Sequence, residues 1–393
     1  MTAVLDIPRT ALARFAALAS IVLLASCGPL PITSGGSGPS IDASAPVPVA
    51  LMIPTGSGNP QDAQVAQSLE RAARLAMADL NGVEIDLRTY STGGSDARAA
   101  QAANTAVAEG AKILLGPLYS GASNAAAVAV ADEGVNVLSF SNNAEIAGGN
   151  LFLLGNTFDN TANRLVDYAA RNGRRNIYVV AGDSPGEEVG RQAIVNAIGS
   201  SRASLAGQSR FTVSQQGVAS AAPQIASQAR AAGADAVFFT SDNAGAMPLL
   251  AQLLPENGLG ASAAQYIGLA RLDIPSSALS QPGLQGSWFA LPDPNTTTAF
   301  QRRYRAAYGS DPHPLAGLAY DGIAAIGALV EQRGSNALTR SALTQGSGFT
   351  GTGGIFRLRN DGTNQRALAV AQIRNNTVVV VDPAPRGFGG AGF

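Results

Sequence analysis

The sequence predicts an α/β fold of two lobes, each a doubly wound parallel sheet covered by helices on both faces, with a small antiparallel β appendage near the C-terminus. Three observations carry that expectation. Short apolar runs alternate with segments of helical period from residue 47 onward. The alternation restarts at residue 158, which marks a second unit. After residue 353 the pattern changes to short alternating runs joined by Asn- and Gly-containing turns.

Taken in order, Val47–Ile53 is an apolar run of strand length, and residues 61–80 place Val65, Leu69, Ala72, Ala73, Ala76 and Leu80 on one helical face. Asn81-Gly82 stops that helix. Val83, Ile85 and Leu87 alternate as a strand does, and residues 95–109 form an alanine-rich helix with Ser95 at its N-cap. Strands over 112–115 and 135–138 flank a helix over 120–133. In the second unit, helices are expected at 158–171, 187–198, 223–232 and 247–254, and extended segments at 176–180, 211–213, 236–239 and 266–268. A strand at 286–290 and helices at 298–308 and 315–332 follow. Strands at 354–358, 367–373 and 377–381 are separated by turns at 360–362 and 375–376. The expected lobes are 47–157 with 290–342, and 158–289 with 343–382, followed by a loose Gly- and Pro-rich tail over 383–393.

Composition narrows the function. The chain has 393 residues, of which 46% are hydrophobic and only 13% charged, with a net charge of −1. That supports large cores in which small residues let helices sit close to sheets. Lys112 is the only lysine and no basic stripe exists, so a nucleic-acid partner is excluded, because phosphate binding needs clustered cations. One cysteine and one histidine allow neither an internal disulfide nor a zinc site. No dinucleotide fingerprint or P-loop occurs, since Gly116 and Gly121 lack the spacing and the lysine, so no cofactor is expected.

The single cysteine closes a leader. Arg9 and Arg14 precede a short apolar stretch over residues 15–24, and Leu24-Ala25-Ser26-Cys27 follows. This resembles the lipobox of bacterial lipoproteins, which implies a signal peptide over 1–26 and a diacylglyceryl group on Cys27, the new N-terminus. Acyl chains contribute roughly 0.8 kcal/mol per buried CH₂, so two or three anchor firmly. Gly28, where an aspartate tends to retain such proteins at the inner membrane, implies the outer membrane. Residues 27–46, rich in Gly, Ser and Pro, read as the lipidated end and a flexible tether, holding the globule on the periplasmic side of the envelope.

Open parallel sheets bind ligands beyond the carboxyl ends of their strands. Three polar loops occupy such positions: residues 116–123 with Tyr119, Ser120 and Gly121; residues 139–143 with Ser141 and Asn143; and residues 240–243 with Asp242. Each could equally serve as a turn or helix cap. Gly116-Pro117 before a helix, residues 137–141 (Val-Leu-Ser-Phe-Ser) and the order of elements resemble the type I periplasmic binding proteins of the leucine/isoleucine/valine-binding group over residues 47 to 382. The resemblance implies three crossings between lobes and an amino acid held between them. Its α-carboxylate would lie near Tyr119, Ser120 and Gly121, its α-amino group near Ser141 and Asn143, and Asp242 would complete the cleft. The chain departs from that pattern at 182–187, where no aromatic residue stands, and at 268–273, where Asp273 is the only acid and Arg271 opposes it.

Residues 155–159, 315–321 and 349–356 with the following hairpin resemble the C-terminal domain of penicillin-binding-protein activator lipoproteins, which dock on a peptidoglycan synthase. That implies a lipid-anchored, non-enzymatic regulator of peptidoglycan synthesis with a peptidoglycan synthase as partner. The alternative is the substrate-binding lipoprotein of an ABC transporter, with a small amino-acid-like ligand and an ABC permease as partners. An enzyme is the remote reading. Residues 182–186 fit G-x-S-x-G around Ser184, but Pro185 has no N–H for an oxyanion, so Ser184 reads as a helix cap beside Glu187 and Glu188. Tyr320 and Asp321 fall on an apolar helix, where packing and local hydrogen bonding are the first reading and a cleft role the second.

Overall fold

The computed structural model describes residues 38–389. The leader, Cys27 and the start of the tether lie outside the described residues. Strands β1 (Val47–Ile53), β2 (Ile85–Ser91), β3 (Ile113–Leu115), β4 (Asn136–Ser139) and β5 (Leu151–Leu153) make a five-stranded, wholly parallel sheet in the order β2-β1-β3-β4-β5. Strands β6 (Asn176–Gly182), β7 (Ser204–Phe211), β8 (Ala236–Phe239), β9 (Gln265–Gly268) and β10 (Trp288–Pro292) form the parallel part of a second sheet. Strands β11 (Phe349–Gly351), β12 (Gly354–Leu358) and β13 (Asn364–Arg366) are a separate antiparallel sheet. Strands β14 (Leu368–Arg374) and β15 (Thr377–Asp382) then extend the second sheet antiparallel to β10, giving the order β15-β14-β10-β9-β8-β6-β7.

Alternation along each strand sends side chains to two cores. Val47, Val49, Leu51 and Ile53 of β1 enter one and Ala50 and Met52 the other. Helices α1 (Pro60–Met77), α2 (Asp96–Ala108) and α3 (Ser120–Ala129) follow the first sheet's strands, and α4 (Phe158–Arg171), α5 (Pro185–Gly199), α6 (Gln215–Ala231) and α7 (Met247–Glu256) cover the second. The chain then returns to the first sheet through α8 (Pro294–Tyr308), α9 (Ala316–Arg333) and the short α10 (Arg340–Leu343). Fully buried Ala99, Ala103, Ala106, Ala122 and Ala126 bring α2 and α3 close to the sheet, which is what the alanine-rich composition provides. Side-chain caps start several helices: Asn59 accepts from Gln61 N at 3.0 Å, Thr157 from Asn160 N at 3.3 Å and Ser184 from Glu187 N at 3.4 Å.

The chain passes between the sheets after β5, after β10 and from β13 into β14. These crossings are laced together. Asn364 Nδ2 donates to Leu153 O at 2.8 Å and to Gly155 O at 2.7 Å, and Asn160 Nδ2 donates to Asn364 Oδ1 at 2.6 Å. Asp293 N donates to Gly353 O at 2.9 Å, tying the second crossing to the small sheet.

Several details differ from the sequence expectation. The β7 strand spans 204–211, not 211–213: it lies at the sheet edge, its side chains are mostly exposed, and so it carries no apolar alternation. Phe349, Phe356 and Leu358 pack in the core of the first sheet, although the sequence pattern groups residues 343–382 with the second lobe. The aromatic side chains of β11 and β12 face α9 and the first sheet, so the chain leaves that lobe only at β13. The last part of the expected tether is also packed: Ile41 is buried in the same core and its N–H donates to Ser335 O at 3.1 Å. Where a loose tail was expected, Ala384 is buried and Phe388 lies under the Arg357 guanidinium at 4.6 Å. Among the described residues, no helix is long and apolar enough to cross a membrane.

Candidate functional site

A cleft of about 1070 Å³ lies beyond the carboxyl ends of β1, β3, β4 and β5. Tyr119, Phe140, Ser141 and Asn156 enter it from the loops of the first sheet, and Asn59 and Asp62 from the start of α1. Arg271 and Ile274, beyond β9, reach it from the second sheet. His313, Asp321 and Arg366 close it on the side of the crossings.

Of the residues expected here, Tyr119 and Ser141 line the cleft; Ser120, Gly121, Asn143 and Asp242 do not. The reasons are local. Ser120 opens α3 and Gly121 backs onto α2, where an added Cβ would sit 2.6 Å from the Asp96 carboxylate. Asn143 caps a single turn, its Oδ1 accepting from Glu145 N at 3.0 Å. Asp242 caps another, accepting from Ala244 N at 3.1 Å and Gly245 N at 2.7 Å. The neighbouring hydroxyls of that loop are committed as well. Glu187 Oε2 accepts from Gly182 N at 2.6 Å, Thr240 Oγ1 at 2.7 Å and Ser241 Oγ at 2.8 Å. The second-sheet wall is thus largely satisfied from within, and Arg271 is its main polar contribution. Arg271 Nε donates to Asp273 Oδ1 at 2.9 Å.

A relay of small hydroxyls positions the first-sheet wall. Ser123 Oγ and Ser139 Oγ are 2.7 Å apart, Ser123 Oγ donates to Pro117 O at 3.1 Å, and Ser141 N donates to Ser139 Oγ at 3.0 Å. Beside it the Tyr119 hydroxyl donates to Asp62 Oδ1 at 2.5 Å. That bond to a carboxylate, helped by partial burial, pushes the Tyr119 phenol up to about 12.

Sequence reading missed Asp62 and Arg366 and left Asp321 as a packing residue. Asp321 is 1% exposed, accepts from Thr352 N at 2.6 Å and forms an ion pair with Arg366 at 3.0 Å. The one signal was the run Asn364-Gln365-Arg366, three polar residues on a strand that is buried throughout or nearly so. Among the described residues no cluster of three or more acids, histidines or cysteines could hold a metal ion.

His313 has its backbone N–H on Ser68 Oγ at 2.8 Å and its Nδ1 accepting from Leu315 N at 3.2 Å. Burial pulls its pKa below the ordinary value. A folded-state value below the unfolded one stabilises the protein above an ordinary pH of about 6.5 and loses that stabilisation as pH falls through the folded value. His313→Asn, which keeps an acceptor but cannot titrate, is therefore expected to flatten the loss of stability between pH 7 and pH 5. Urea unfolding at both pH values checks this, and an unchanged slope would sink it.

Comparison with known proteins agrees with this architecture. The family model described as periplasmic binding protein matches residues 46–377. A putative branched-chain amino acid ABC transporter protein of Rhodospirillum rubrum superposes with a TM-score of 0.71 at 17% identity, covering 86% of this chain and 100% of that one. A branched-chain amino acid ABC transporter periplasmic ligand-binding protein of Burkholderia xenovorans LB400 gives 0.68 at 18% identity, over 88% and 97%. An ABC transporter solute-binding protein of R. palustris in complex with benzoate gives 0.57 at 17% identity, over 87% and 98%. No curated protein matches. The two doubly wound sheets, the three crossings and a family match over most of the chain lead to one conclusion: the chain belongs to the periplasmic binding protein family, with the type I fold.

Proposed function

We propose that this protein is the solute-binding component of an ABC transporter and holds a small organic ligand in the cleft. The observation that carries the reading is the cleft itself: about 1070 Å³, reached from both sheets and lined by polar and apolar side chains together, a concave site of the size that holds a small molecule. Relatives of this fold support it, since one was solved with isoleucine and another with benzoate. These relatives are transport receptors, so the expected role as activator of a peptidoglycan synthase gains no support from them. Amino acids and aromatic carboxylates are the ligand classes favoured. Tyr119 and Ser141 are the contacts proposed from the first sheet, and Arg271 that from the second.

The test is a thermal-shift screen of protein refolded from denaturant to strip any co-purified ligand, using amino acids, benzoate and its hydroxylated relatives. A ligand at 1,000 times its Kd stabilises by about 4 kcal/mol, so a hit moves Tm by several degrees. If no compound shifts protein shown to be folded, the reading fails.

The family implies a periplasmic location, and we further propose that acylated Cys27 anchors the protein there. Cys27→Ser is expected to move it from the membrane fraction to the soluble periplasmic fraction. Wild-type protein already found in the soluble fraction would refute the anchor.

A further inference from the structure

We propose that Arg366 is the anion-recognising group of the cleft and takes an oxygen of a ligand carboxylate on its free Nη2. The inference rests on the reading of the cleft as a ligand site and deepens it. Arg366 ends β13, lines the cleft and is only 9% exposed. Its guanidinium is committed on two sides. Nε donates to Leu154 O at 2.6 Å, and Nη1 donates to Asp321 Oδ2 at 3.0 Å. Nη2 is buried and has no hydrogen-bond partner. A buried, charged donor left without an acceptor is costly, and native proteins keep few of them.

The fork is also held rigid. Its Cζ lies 4.7 Å from the centre of the Phe356 ring, and Asp321 is itself fixed by Thr352 N at 2.6 Å. A guanidinium locked in plane, with Nε and Nη1 used by the protein and Nη2 unsatisfied, is preorganised for an oxygen acceptor. A ligand that supplies one gains without ordering the side chain first. The lining of the cleft holds Arg366 and Arg271 as cations, while Asp321 is engaged by Arg366 and Asp62 by the Tyr119 hydroxyl. Arg271 is held by Asp273 and the Asp62 carboxylate keeps its charge, so the donor open to a ligand carboxylate is Nη2 of Arg366 alone. The position adds a consequence. Arg366 touches the first crossing through Leu154 and stands where the chain makes its third, so a ligand oxygen on Nη2 bridges the ligand to the hinge.

The experiment compares binding of benzoate with benzamide, and of L-leucine with L-leucinamide, by thermal shift and calorimetry. The carboxylates are expected to bind about 100-fold more tightly than their amides, the scale of one charge-assisted hydrogen bond. Because Arg366→Ala alone could unfold the protein, the variant used is R366M with D321L, which removes both charges together. It is expected to fold, as judged by circular dichroism and cooperative melting, and to lose carboxylate affinity by the same factor. Amides that bind wild-type protein as tightly as carboxylates overturn the role of Arg366 and leave the solute-binding reading standing. So does a folded double variant that keeps its carboxylate affinity. If none of the four probes nor any compound of the wider screen binds wild-type protein, both readings fall together.

Discussion

Asp321→Ala is expected to lower the free energy of unfolding by about 3 to 5 kcal/mol, the usual loss when one partner of a buried ion pair is removed. The magnitude follows from what remains. Among the described residues Asp321 is the only carboxylate paired with Arg366, and both side chains are at least nine-tenths buried. Without it the guanidinium keeps one bond to Leu154 O and the face of the Phe356 ring, and has no counter-charge to offset its desolvation. The Thr352 N–H loses its acceptor as well, which loosens the turn between β11 and β12. Removing both charges with D321L and R366M should recover most of the loss, since paired apolar replacements of a buried ion pair are often close to neutral. Urea titration of the single and double variants checks the claim. A loss below about 1 kcal/mol for Asp321→Ala would show that water relieves Arg366, contrary to its burial beneath the cleft.

Gly116→Ala comes next in size, at about 2 to 5 kcal/mol from the left-handed backbone and overpacking together. Gly116 has φ +93°, and a Cβ there would lie 2.3 Å from the carbonyl oxygen of Met52 and 3.1 Å from the Phe140 ring. Met52 belongs to β1, inside the first sheet, and its carbonyl cannot move without disturbing the ladder. The β3 loop must shift instead, and it carries Leu118 and Tyr119 into the cleft. Ligand affinity should therefore fall along with stability. Gly58→Ala is the control. That glycine also has a positive φ, +81°, but nothing stands within 4 Å of an added Cβ, so only a backbone cost of about 1 kcal/mol is expected. Equal effects at the two positions would argue against the contact with Met52.

What the sequence showed depended on whether a feature left a local pattern. Strands β1, β3, β4, β6 and β8 were legible because strands buried on both faces read as apolar runs. The edge strand β7, with polar exposed side chains, left no such trace, and β5, an apolar run of three residues like β3, was passed over. Ser184 was recognisable as a cap because the Ser-Pro-x-Glu spacing satisfies donors within one turn. Tyr119 and Ser141, read as cleft residues because they lie in the loops after two apolar strands, line the cleft. Arg366 was not, because its partner lies 45 residues away and its meaning depends on which nitrogen is left over. Asn160 and Asn364 are 204 residues apart, a pairing that no local pattern can reveal. Conversely, Asn143 and Asp242 sit at strand ends, yet each caps its own turn and neither lines the cleft.

The lacing of the three crossings has a mechanical consequence. Asn364 clamps the first crossing at Leu153 and Gly155, Asn160 clamps Asn364, and Gly353 holds Asp293 of the second crossing. Gly155 is packed so closely that a Cβ would stand 2.4 Å from the Ser141 carbonyl oxygen. Three short strings fastened side by side resist sliding and twisting but yield to bending. Relative motion of the two sheets is then expected to follow a single hinge angle, which the distance between one label on each sheet would track.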